Sequence, residues 1–251
     1  MTTVDEHSPD AHPTDAVAAI SQSAARYLEA IYYIHHEGEV VRAGRLAEWL
    51  GVAAPTVTEA VKKLVRDLLL TIGAGRSLLL TAAGMAAAED IVRRHRIAEV
   101  WLFRLGLDWE SADEEAHRLS FYLSDRVLEK LHEQLGRPLT CPHGNAIPGV
   151  PQQDRDLLRL DELELGQVAF VGRISEVAEQ EAPALLDVLY RAGIVPGRRV
   201  EVAGETDAAE VVTIQVEGHG DAHLARSVAR HVWVDRRLRP RDGSDERPAA
   251  L

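Results

Sequence analysis

The sequence predicts a mainly α N-terminal part followed by a small β-rich domain. Apolar residues recur at helical spacing from residue 21 to 136, interrupted by one short strand-like hairpin. A Pro/Gly-rich stretch then runs from Arg137 to about Gln153, and from 157 to 236 apolar and polar residues alternate at strand spacing.

Residues 1–20 and 237–251 are polar, rich in charge and proline, and read as disordered tails. Residues 21–80 read as three helices and a hairpin. Residues 81–150 read as a helical domain built on two long helices, 81–106 and 111–136, and residues 157–236 as the β domain. Within the first segment, Tyr27, Leu28, Ile31 and Ile34 mark one helical face, which Gly38 ends. Leu46, Trp49 and Leu50 mark the second, closed by Gly51. The third helix begins near Pro55, whose missing N–H costs nothing in a first turn, and turns Val57, Val61 and Leu64 inward. Two short apolar strands flank Gly73, Ala74, Gly75 and Arg76, a hairpin with a basic tip. Helix, tight turn, second helix and basic hairpin together are the order of a winged helix-turn-helix.

The formal net charge of −12 argues against nucleic acid, since phosphate contacts need Lys and Arg. The distribution of charge argues the other way. Between residues 40 and 80 Arg42, Arg45, Lys62, Lys63, Arg66 and Arg76 outnumber Glu48, Glu59 and Asp67. Thr56, Thr58 and Glu59, after Pro55 on the third helix, are placed to reach base edges. Arg45, Lys62, Lys63 and Arg76 are placed to meet phosphates. The single cysteine, Cys141, excludes an intramolecular disulfide framework and fits a reducing cytoplasm. No apolar run reaches the ~18–20 residues that span a bilayer. No nucleophile elbow, P-loop or HExxH pattern supports an enzyme.

Two i,i+4 pairs stand out on the long helices: His95 with Glu99, and Asp113 with His117. Each pair shares one helix face. Two antiparallel helices converge four N/O ligands on one ion, a set that suits Mn²⁺, Fe²⁺, Co²⁺, Ni²⁺ or Zn²⁺. Cys141 and the remaining histidines, His143 among them, read as packing or surface residues, and HGDAH (219–223) as a polar turn.

The stretches ARYLEAIYYI, RLAEWLGVAAPTVTEAVKKLVRDLLL, RSLLLTAAG, VRRHRIAEVWLFRLGLDWESADEEAHRLSFYLSD and CPHGNAIPG, over roughly residues 24–150, resemble the DtxR/MntR family of metal-dependent repressors. LYRAGIVPGRRVEV is similar to the SH3-like (FeoA-like) C-terminal module of its longer members. The resemblance implies a homodimer binding a palindromic DNA operator, with a divalent metal, Mn²⁺ or Fe²⁺ (Zn²⁺ or Co²⁺ also fitting), fixing the spacing of the two recognition helices. It places His95 and Glu99 at metal ligands, Asp113 and His117 at ligand positions of altered type, and Glu29 at a ligand of the manganese-type members. Arg26, Ser120 and Phe121 stand where the family has ligands. The expectation is one remodelled site from His95, Glu99, Asp113 and His117, with Glu29 as a further candidate, and about one ion per chain. The alternative is a metal-independent DNA-binding regulator of the same fold in which Arg26 supplies a fixed charge. Dimerisation is expected through Val100, Trp101, Phe103 and Leu105 on one long helix, and Leu119, Tyr122, Leu123 and Val127 on the other.

Overall fold

The computed structural model describes residues 20–151, 156–182, 184–206 and 210–237. The expected terminal tails lie almost wholly outside these. Helix α1 (Gln22–His36) starts where the Ser21 hydroxyl accepts from the Ala24 amide, and its capping residue is Glu37. α2 (Ala43–Leu50) ends at Gly51, whose φ of 63° is the left-handed cap a glycine adopts without strain. α3 (Ala54–Arg66) has Pro55 in its first turn. Strands β1 (Leu70–Ile72) and β2 (Leu78–Leu80) pair antiparallel, Leu70 opposite Leu80. The residues expected on the inner helix faces, Leu28, Ile31, Ile34, Leu46, Trp49, Val57, Val61 and Leu64, are buried in one core with Leu70 and Leu78. Each such side chain contributes about 1.5–3 kcal/mol by leaving water.

α4 (Ala82–Arg104) is the spine of the molecule. Thr81 caps it by accepting from the Gly84 amide, and donates to the Leu68 carbonyl (2.7 Å), tying the helix to the wing. α5 (Trp109–Leu119) packs against it, capped by Asp108. The second long helix expected over 111–136 is two helices. After α5 the chain makes a single 3-10 turn (Ser120–Tyr122), Leu123 is extended, and α6 (Asp125–Gln134) begins behind a Ser124 cap. The break is satisfied chemically: Ser124 accepts from the Val127 amide, and Arg94 donates to the Leu123 carbonyl (2.8 Å).

The C-terminal domain contains β3 (Leu157–Arg159), β4 (Val168–Ile174), α7 (Glu176–Glu181), α8 (Ala184–Arg191), β5 (Arg199–Thr206), β6 (Val211–Val216), β7 (Gly220–Ala225), α9 (Arg226–Ala229) and β8 (Val232–Asp235). The strands form one antiparallel sheet in the order β3-β8-β4-β5-β6-β7. Val212, Ile214 and Val216 point into its core, while Val211, Thr213 and Gln215 alternate with them. HGDAH is a turn only at its start, since Gly220 to His223 belong to β7.

This domain packs back onto the helices. Trp109 of α5 is buried in its core against Tyr190, and Phe103 of α4 meets the same tyrosine. Val100 joins Leu128, Leu131, Cys141 and Ile147 in another core cluster. Val100 and Phe103, expected at a dimer interface, are therefore covered within the chain. Leu105, Tyr122 and Val127 remain exposed. No helix among the described residues is long and apolar enough to cross a membrane.

Candidate metal centres and nucleic-acid face

Where α1, α4 and α5 meet, the helices bring Glu29, His95, Asp113 and His117 together. His95 Nε2 lies 3.1 Å from Asp113 Oδ1, and His117 Nδ1 lies 3.5 Å from Asp113 Oδ2. His117 Nε2 lies 3.7 Å from Glu29 Oε2, and the two imidazole rings are 4.1 Å apart. One ligand atom each from Glu29, His95 and His117 fall within 4.8 Å of one another. His95 is 2 % exposed and its Nδ1 is buried without a hydrogen-bond partner. The Tyr33 hydroxyl donates to the other Glu29 oxygen (3.2 Å), which leaves Oε2 turned toward His117.

Burial works against a charged His117, but the carboxylates of Glu29 and Asp113 outweigh it and push its pKa up to about 10. Burial likewise opposes a charged Asp113, but His117 and His95 hold its carboxyl well below the usual range. The proton these carboxylates hold on His117 is one that a divalent cation can replace.

Glu99 borders this group, its Oε2 lying 3.8 Å from His95 Nε2. One turn further along α4 it faces a second cluster, with His143 Nδ1 2.7 Å from its Oε1. Ligand atoms of Glu99, Cys141 and His143 lie within 4.8 Å of one another, and all three residues are buried. Burial lowers the His143 pKa, and Glu99 more than offsets it, so the ring titrates above its ordinary value. A thiolate, an imidazole and a carboxylate suit Zn²⁺ or Fe²⁺ better than Mg²⁺ or Ca²⁺. Beside the residues expected in one site there is thus a second candidate cluster, which shares Glu99 with them. Cys141 and His143, which read from the sequence as packing or surface residues, are ligand candidates. Their one sequence signal is the Cys-x-His spacing, an i,i+2 pair in a Gly/Pro-bounded loop.

Arg26 is exposed and makes no ion pair among the described residues. Ser120 is buried, and Phe121 packs on the N-terminal core. The guanidinium therefore does not stand in for an ion between Glu29, His95 and His117.

In the first domain, Pro55, Thr56, Thr58, Glu59, Lys62 and Lys63 are all exposed on α3. Thr58 donates to the Ala54 carbonyl, and Lys62 pairs with Glu59 at 2.8 Å. Arg76 stands exposed at the wing tip with φ 60° beside Gly75 at 63°. Arg45 differs from the other bases: Glu39 holds it with two bonds (2.8 and 3.2 Å), and it lies over the Trp49 ring.

Residues 19–73 match the family description "Iron dependent repressor, N-terminal DNA binding domain", 81–149 its "metal binding and dimerisation domain", and 158–236 the FeoA domain. The iron-dependent repressor IdeR of Mycobacterium tuberculosis (strain H37Rv) is 37% identical over 221 residues, which are 84% of this chain and 95% of that protein. This chain belongs to the iron-dependent repressor family. The diphtheria toxin repressor of Corynebacterium diphtheriae is 36% identical over 127 residues, half of this chain and 56% of its own. Among solved structures, a manganese-dependent transcriptional repressor in complex with manganese superposes with a TM-score of 0.75 at 30% identity, covering 84% of this chain and 99% of its own. ScaR with bound Zn²⁺ gives 0.69 at 29% identity, covering 84% and 98%. In this iron-dependent repressor family member the DNA-binding domain, the metal-binding and dimerisation domain and the FeoA domain follow one another in that order.

Proposed function

We propose that this chain is a metal-responsive transcriptional repressor that binds a palindromic DNA operator as a homodimer and controls genes of manganese or iron homeostasis. One observation carries the reading. Glu29 belongs to α1 of the DNA-binding domain, while His95, Asp113 and His117 belong to α4 and α5. An ion held between them fixes the orientation of the winged helix relative to the helical domain. It need only bind that arrangement more tightly than the alternatives to shift DNA affinity. Glu99, Cys141 and His143 supply a second ion site beside it, so the stoichiometry is two ions per chain. Mn²⁺ and Fe²⁺ suit the first cluster, and Zn²⁺ and Co²⁺ fit both. Leu105, Tyr122 and Val127 are the residues of the expected interface that stay exposed to a second copy. With DNA as its partner, we infer that the protein works in the cytoplasm.

Gel shift on a duplex from the protein's own promoter region, with Mn²⁺ or Fe²⁺ added and then chelated, tests this directly. Metal-dependent retardation supports it, and retardation indifferent to metal and chelator refutes it. Within that assay Arg76→Ala is expected to weaken binding to every sequence tested and to lower the slope of log affinity against log salt by about one unit. An unchanged slope removes the wing from the phosphate-contacting surface.

The protonation of His117 gives a further expected result. Glu29 and Asp113 keep its imidazolium to about pH 10, and a ligating ring must be neutral, so an ion entering the Glu29–His95–His117 site near pH 7 releases about one proton there. Metal affinity should therefore keep rising with pH through the neutral range instead of levelling above about 6.5. Calorimetric titration with Mn²⁺ in two buffers of different ionisation enthalpy counts the proton. Identical heats in both buffers would exclude His117 as a ligand.

A further inference from the structure

Building on the metal-responsive reading above, we propose that Arg173 and Glu37 are a positioning pair that transmits occupancy of the Glu99–Cys141–His143 site to the DNA-binding domain, with the FeoA-like domain as the strut between them. Three contacts make the strut.

The first fastens the ligand loop to β4. The Ile174 amide donates to the His143 carbonyl (2.8 Å), and the Asn145 side-chain amide donates back to the Ile174 carbonyl (3.0 Å). Gly144, at φ 85°, approaches the strand so closely that a Cβ would lie 2.3 Å from the Gly172 carbonyl oxygen and 2.9 Å from Arg173 Cα. At Gly144 the backbones of loop and strand meet directly. An ion that draws Cys141 and His143 toward Glu99 fixes β4 as well.

The second contact is Arg173 itself. Its guanidinium lies over the Trp233 ring, 4.6 Å from the centroid, and donates to Asn145 Oδ1 (3.4 Å). It also grips both Glu37 oxygens, the Nη2 bond to Oε2 being 3.3 Å. The third contact is the Glu176 amide at the start of α7, which donates to Glu37 Oε1 (3.1 Å). The Glu37 side chain is 5 % exposed, so this carboxylate is held from two sides and hardly wetted.

Glu37 is the capping residue of α1, the helix that carries Glu29. From the loop ligands to the DNA-binding domain the path is Asn145, Arg173 and Glu37. Neither member of the pair offers an atom to either metal cluster, and neither lies on α3 or the wing. Changing the pair leaves both binding surfaces intact and alters only how they communicate. Coupling of this kind is reciprocal: whatever metal adds to DNA affinity, DNA adds to metal affinity, typically about 5–150-fold.

The test uses the full chain, Zn²⁺ as the probe because it fits the thiolate-bearing cluster, and the promoter duplex. In the wild type Zn²⁺ should tighten DNA binding by about 10-fold or more. Arg173→Met and Glu37→Gln should each bind Zn²⁺ with wild-type stoichiometry and keep the metal-free DNA affinity, while the gain on adding Zn²⁺ falls by about 3-fold or more, to what the Glu29–His95–His117 site supplies alone. The double variant should lose no more than either single one, because both break the same link. Arg173→Lys should restore part of the gain. A full wild-type gain in Arg173→Met, with an unaltered melting profile, overturns the proposal. Should Arg173→Met fail to fold, the near-isosteric Glu37→Gln decides it in the same way. A wild-type chain that shows no gain with metal overturns the functional reading instead, and the two failures are told apart by the wild-type arm alone.

Discussion

Replacing His95 with alanine is expected to remove the response to metal, lowering DNA affinity at a fixed Mn²⁺ concentration by roughly 100-fold, to the level of the chelated wild type. His95 sits between the two clusters, with Nε2 3.1 Å from Asp113 and 3.8 Å from Glu99. Its loss removes one ligand and leaves two carboxylates, one of them fully enclosed, facing each other without an imidazole between them. The first ion loses a direct bond, and the second loses the group that keeps Glu99 apart from Asp113. Titration calorimetry and gel shift read the two effects separately. Arg26→Ala is the matched control: the side chain is exposed, so metal stoichiometry and DNA affinity should stay within error of wild type. Two ions bound at full affinity by His95→Ala would sink the assignment of both clusters, and loss of DNA binding in Arg26→Ala would restore the fixed-charge alternative.

Part of this molecule is legible in its sequence, and the rest is hidden for identifiable reasons. α1 to α3 and the wing are encoded locally, by apolar spacing, Pro55, Gly51 and the glycines around Arg76, so which side chains of α3 and the wing tip are exposed can be read residue by residue. His95, Asp113 and His117 are legible because i,i+4 pairs on neighbouring helices converge by geometry alone. Glu99 reads as part of that group because it shares a helix face with His95, and its Oε2 does lie 3.8 Å from that ring, while its other oxygen meets His143. Cys141 and His143 are hidden because what brings their loop to α4 is the close approach of Gly144 to β4, a long-range contact with no local signature. The same domain docking explains why Val100 and Phe103 look like dimer residues: their cover comes from distant parts of the same chain. The break between α5 and α6 is masked because apolar periodicity continues across it. The capping role of Ser124 and the Arg94 bond to the Leu123 carbonyl produce that break. Arg45 reads as a free base in the sequence, whereas Glu39, six residues earlier, holds it in the fold.

The largest stability effect is expected at Arg96. Its guanidinium is enclosed between domains, 6 % exposed, paired with Glu176 at the start of α7 and donating to the Ala146 carbonyl beside the ligand loop. It also lies 5.6 Å from the centroid of the Tyr33 ring on α1. Burial disfavours its charge, and Glu176 more than compensates, so the group stays protonated at any accessible pH. Such a pair adds little over a well-packed apolar substitute, but breaking one half leaves the other charge stranded. Arg96→Met should therefore cost about 3–5 kcal/mol, because Glu176 is left buried, unpaired and unable to reach water. The double variant Arg96→Met, Glu176→Leu should recover most of that loss and come within about 1 kcal/mol of wild type. Urea unfolding followed by tryptophan fluorescence measures both, since Trp109 sits in the core shared by α5 and the FeoA-like domain. If Arg96→Met costs less than about 1 kcal/mol, or if the double variant is no more stable than the single one, the pair does not hold the domains together.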